Sequence, residues 1–203
     1  MPSATSATSA KRPAPTSIQS AAPQRRYSGL AIALHWLLGI AIVATFALGW
    51  TMSGMSFSPQ RLKFYNWHKW AGVAILSLSA LRLLWRLVRR PPPLPAHVAS
   101  RMPRWQSVVH HATHHLFYLL FLAVPLLGWA YSSAVGFPIV FLGLLPLPDF
   151  VSPNPDLADT LKLLHKCAAY SLAGLVSLHV AAVLKHQFID RDRLLLRMLP
   201  GRA

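Results

Sequence analysis

Acidic side chains and cysteine are scarce in this chain: its 203 residues include five Asp and Glu together and a single cysteine. One cysteine, Cys167, excludes an internal disulfide and a cysteine-rich metal site, and without a C-x-x-C-H run no haem can be attached covalently. Cys167 lies in an apolar stretch and reads as a small buried residue. Charged residues make up only 12% of the chain, about half the share of an ordinary soluble domain. What charge remains is nearly all of one sign, for 20 Lys and Arg give a formal net charge of +15. A nucleic-acid-binding protein needs a soluble basic face, and with 54% hydrophobic residues in long runs there is little room for one. Nucleic acid is therefore not an expected partner; membrane lipid is.

The apolar residues fall into four runs, at about Leu30–Met52, His68–Val88, His111–Ser132 and Leu161–Leu184. Each is near the roughly 20 residues that a bilayer-crossing helix needs, so the expected fold is all-α, a four-helix transmembrane bundle. Pro125 falls inside the third run, where a membrane helix tolerates proline if neighbours satisfy the freed carbonyl. Residues 134–149 are apolar but broken by Pro138, Pro146 and Pro148, and read as an interfacial or re-entrant loop. Residues 1–24 are rich in Ala, Ser, Thr and Pro without an acid, a composition that cannot bury enough surface to order itself. This tail lacks both the apolar core of a secretory signal and the amphipathic stretch of a transit peptide. The expected division is a disordered tail, 1–24, and one membrane domain, 25–203.

Basic residues orient the spans. The tail, the loop between the second and third spans, and the C-terminal end together hold fifteen of the 20 Lys and Arg, leaving Arg61, Lys63, Lys69, Lys162 and Lys166 on the other side. That bias predicts both termini in the cytoplasm and a multi-pass protein of a bacterial inner membrane.

Histidine placement points to the chemistry. His165 and His179 are fourteen residues apart in LHKCAAYSLAGLVSLHVAAVLKH, two heptads, so they share a helix face about 21 Å apart along the axis. The topology puts His35 near the inner surface with His179, and His68 near the outer surface with His165. Ionisable residues within spans are costly and usually functional, and two neutral imidazoles fill the axial positions of a haem iron. The pattern predicts two b-type haems and transmembrane electron transfer. Arg82 and Arg86, one turn apart at the inner end of the second span, either snorkel to headgroups or pair with the propionates of the inner haem. Lys69 and Lys166 each follow an outer ligand and would draw a small anion there. His110, His111, His114 and His115 have no carboxylate close in sequence to complete a metal site and read as interfacial anchors. His114, His115 and His186 are candidates for a quinone contact or proton relay. Trp36, Trp50, Trp67, Trp70 and Trp129 read as an aromatic belt.

The stretches YSGLAIALHW, WHKWAG followed by RLLWRL, HHLFYLLFLAVPLLGW, LHKCAAYSLAGLVSLHVAAVLKH and RDRLLLRMLP resemble the bacterial cytochrome b561 family over most of residues 27–200. The resemblance implies a four-helix, dihaem membrane cytochrome with axial ligands at His35, His68, His165 and His179, linked to quinone. In one branch of that family superoxide is oxidised at the outer face and the electron passes to ubiquinone, which would make the chain an oxidoreductase. Related haem subunits serve membrane hydrogenases or other dehydrogenases instead, so two readings stand: a superoxide:quinone oxidoreductase, or a haem-bearing anchor for a partner enzyme. A haem-free transporter or metal-binding protein built on the histidines of the third span is a more distant alternative.

Overall fold

The computed structural model describes residues 26–89, 92–100, 103–192 and 194–201. The tail of residues 1–24 lies outside the described residues, as do Lys11, Arg12, Arg25, Arg90, Arg101, Arg193 and Arg202. Four helices among the described residues are long and apolar enough to cross a membrane: α1 (Gly29–Ser53), α2 (Pro59–Val88), α3 (Arg104–Ala134) and α4 (Pro155–Lys185). At 1.5 Å per residue the longest spans about 46 Å, more than the roughly 30 Å of a hydrocarbon core. The extra turns are mostly polar ends that the apolar runs alone do not reveal. Local chemistry sets where they start. Ser28, Ser58 and Asn154 accept hydrogen bonds from Ala31, Arg61 and Leu157 N–H groups, satisfying donors that a helix start leaves free. Pro59 and Pro155 occupy the first helical position, where a missing N–H costs nothing. As a result α2 begins nine residues before His68, which sits more than two turns inside the helix.

The helices run up and down, with α1 against α2, α2 against α3 and α3 against α4, while α1 and α4 touch sparingly. Leu38, Ile42, Ile75, Phe117, Leu120 and Leu172 form the buried core. Outward-facing Leu37, Ile40, Val43, Leu119 and Leu178 are exposed, the apolar coat that lipid requires and water does not tolerate over such an area. Cys167 is exposed as well, contrary to the buried position expected from its apolar neighbours: within a membrane span, apolar surroundings in sequence also describe a lipid-facing stripe.

The ends of the described chain meet at one end of the bundle. Arg197, 4% exposed, donates to the carbonyls of Pro92 and Pro93 and lies over the Tyr27 ring. Arg26 donates to the Leu199 and Gly201 carbonyls, and Trp36 to that of Met198. Thus the C-terminal RDRLLLRMLP stretch, which contains a 3-10 turn at Leu194–Met198, staples the start of α1 to the α2–α3 connection. At the opposite end the expected irregular loop contains a short antiparallel hairpin, β1 (Val140–Phe141) with β2 (Leu145–Pro146). Two tryptophans expected only as belt residues tether this segment: Trp70 donates to the Val140 carbonyl and Trp129 to that of Pro148. Trp129 also stacks on Phe150.

Candidate functional site

Heptad spacing arranges the interior in three layers. On α1 the residues are His35, Ile42 and Gly49; on α2 they are Arg82, Ile75 and His68; on α3, His114, Phe121 and Gly128; on α4, His179, Leu172 and His165. Successive residues in each series are about 10 Å apart along their helix, and alternating helix direction brings like heights together. The middle layer belongs to the apolar core or packs on it. The layers on either side contain the histidines.

At the end bearing the hairpin, His68 and His165 face one another with ring centres 6.1 Å apart and planes at 83°. The Nδ1–H of His165 donates to the Val124 carbonyl at 2.9 Å, just before Pro125, which deprives α3 of one ladder bond. With a carbonyl as partner Nδ1 must carry the proton, so in the neutral imidazole Nε2 presents its lone pair. His68 Nδ1 is buried without a hydrogen-bond partner. A Cβ added to Gly49 would meet His68 Cε1 at 2.9 Å, and one added to Gly128 would meet His165 Cε1 at 3.0 Å. Each imidazole of this pair therefore lies directly against a glycine of the neighbouring helix. Beside them opens a cavity of about 340 Å³ whose wall includes both histidines, Arg61, Tyr65, Lys69 and Tyr131. Lys69 donates to the Phe137 carbonyl at 2.7 Å and lies 3.8 Å from the centre of that ring, so it holds the hairpin segment over the cavity. Lys166 is exposed.

At the other end His35 and His179 are 6.3 Å apart, with planes at 70°. Arg82 points inward, not to headgroups: its guanidinium donates to the Ala31 carbonyl and lies 3.4 Å from His35 Nδ1. His114 stands 6.2 Å from His179, and Phe117 5.5 Å. Arg86 donates to the Tyr118 hydroxyl. His115 is exposed, with Nδ1 on the His111 carbonyl, and has no ring contact with this pair among the described residues. His186 opens a π-helical turn, His186–Asp190, and is held by Asp192 at 2.6 Å and Asp190 at 3.2 Å; it is anchored to the C-terminal segment.

Both pairs suit a metal between two imidazoles. With metal–nitrogen bonds of about 2 Å, two imidazoles sharing one metal would have ring centres no more than about 6.4 Å apart. The sequence profile of the prokaryotic cytochrome b561 family matches residues 26–201. The chain belongs to that family. Among its relatives, cytochrome b561 homolog 2 of Escherichia coli (strain K12) is 35% identical over 176 residues, 86% of this chain and 91% of the relative. The probable superoxide oxidase CybB of Yersinia pestis is 33% identical over 181 residues, 87% of this chain and 97% of the relative. As a family member the chain is a bacterial inner-membrane electron-transfer protein that uses b-type haem. Spacing along single helices reveals the histidines, but not Gly49, Gly128 or Arg61. The first two leave a trace only as the heptad steps from His35 through Ile42, and from His114 through Phe121.

Proposed function

We propose that this cytochrome b561 carries electrons from periplasmic superoxide to ubiquinone, with one haem b held by His68 and His165 and a second by His35 and His179. The observation that carries the reading is the pair of facing imidazoles at each end of one apolar bundle, 6.1 and 6.3 Å apart. Haem held there would supply a one-electron carrier at each end. The bias of basic residues orients the His35 end, with both termini, toward the cytoplasm. Residues 25–203 act as one dihaem unit.

The chain's own residues divide the remaining work. Lys69 and Lys166 make the outer end positive and draw an anionic donor to it, and the likeness to a probable superoxide oxidase favours superoxide. Two superoxide ions each give up one electron and leave as O2; one quinone takes the two electrons and two protons. Those protons are needed at the inner end, where His114 lies against His179 and is placed to deliver them, with His115 and His186 nearer the surface as further relays. Arg82 and Arg86 supply cationic donors there for haem propionates.

Superoxide generated in the presence of the purified, oxidised protein should reduce its haem rapidly, and added ubiquinone should reoxidise it. Haem that superoxide leaves oxidised, in a protein that co-purifies with a dehydrogenase, would assign the chain as a haem-bearing anchor subunit instead.

A further inference from the structure

Arg61 is placed where the needs of its own helix do not explain it. It lies in the first turn of α2, where Ser58 caps its backbone N–H, and a cation at a helix N-terminus opposes the macrodipole. It also precedes His68 by one heptad, hence lies on the same helix face about 10 Å further out. Its side chain packs over the Tyr65 ring, 5.4 Å from the centre, and one Nη donates to the Tyr65 hydroxyl at 3.3 Å. The Nε–H is buried without a hydrogen-bond partner, a costly state for a charged group. Among the described residues no carboxylate lies within ion-pair distance of it. Arg61 lines the same cavity as His68 and His165, and no residue of that wall is acidic. Lys69, the other cation there, is engaged by the Phe137 carbonyl and ring.

A guanidinium at the wall of an acid-free cavity is complementary to a carboxylate, which it can grip through two parallel N–H bonds where lysine offers a point charge. We propose that Arg61 is the anion anchor of the outer cavity, binding a propionate carboxylate of the haem held between His68 and His165. This rests on the haem placement proposed above. It assigns Arg61 the task at the outer end that Arg82 and Arg86 would have at the inner end.

The test uses the full-length, haem-loaded protein with Arg61→Gln and Arg61→Lys, following haem loss to excess apomyoglobin and the reduction potential of each haem. Losing a charge-assisted carboxylate contact should speed loss of the outer haem by about tenfold or more in Arg61→Gln. The outer potential should fall, because a cation near the iron favours its reduced form, and the inner haem should be unaffected. Arg61→Lys should recover the potential more fully than the retention. Wild-type loss rate and potential in Arg61→Gln overturn the proposal; if that variant does not accumulate, a wild-type loss rate in Arg61→Lys does so. Unchanged retention with a slowed superoxide reaction also overturns it, assigning Arg61 to an external anion. A His68→Ala protein that keeps both haems would show that the haem placement on which the role of Arg61 rests has failed.

Discussion

The histidine layers at the two ends of the bundle, the hairpin end being the proposed outer one, use the same heptad positions and the same facing histidines, yet differ in what stands beside them. Outside, α1 and α3 contribute Gly49 and Gly128, and each imidazole lies against bare backbone. Inside, the flanking positions are Arg82 on α2 and His114 on α3, and the surroundings are polar. One end is a steric cradle beside a cavity whose polar groups include Arg61, Tyr65, Lys69 and Tyr131. The other has donors at its edge. Under the proposed function the two ends differ in side chains other than the proposed ligands, and His114 stands beside the inner pair.

The strongest way to break this comparison is to remove one ligand from each layer. His165→Ala should remove chiefly the outer haem and His179→Ala chiefly the inner one, each leaving about one haem per chain by quantitative haem assay and optical spectra, since axial ligation and packing alone hold a b-type group. Equal loss of both haems in two well-folded variants would mean that the layers are not independent.

A smaller effect should follow from filling the cradle. Gly49→Ala or Gly128→Ala puts a methyl group within 3.0 Å of an imidazole, an overpacking cost of about 1–3 kcal/mol. We expect weakened outer-haem retention and an altered low-spin electron paramagnetic resonance signal for that haem alone. Gly39 and Gly174 have open space at the same atom, and their alanine variants should be neutral or more stable, as alanine is favoured over glycine in a helix by up to about 1 kcal/mol. If all four substitutions behave alike, the glycines are not positioning the imidazoles.

The smallest expected effect concerns charge at the outer end. Neutralising exposed Lys166 should slow reaction with superoxide a few-fold and flatten its salt dependence, as loss of long-range steering does. Lys69→Gln should do this and also loosen the hairpin segment, because Lys69 holds the Phe137 carbonyl. Stopped-flow rates over a range of ionic strength separate the two; identical salt slopes in wild type and both variants would remove steering from the outer end.

Much of the architecture was legible along the chain. A run of about 20 apolar residues is a property of one segment, and so is the heptad register of His165 and His179, because helix period depends on local backbone geometry. Charge bias near the span ends is equally local. Helix starts were less legible: α2 and α4 extend beyond their apolar runs because Ser58, Asn154 and the prolines after them initiate helix in polar sequence. Trp70 and Trp129 looked alike as interface residues, and only their indole hydrogen bonds reveal the tether on the loop.

The sequence by itself determined four apolar helices, their alternation and the heights of the four histidines, since each follows from composition and period within a segment. The tertiary structure decided which groups stand beside those histidines. It turned Arg82 inward, left Cys167 facing out, set Gly49 and Gly128 against the outer imidazoles and brought Arg61 to the cavity wall. These depend on how each helix is rotated about its axis and which neighbour it packs against. That choice is made by side chains far apart in the chain, so no single segment contains it.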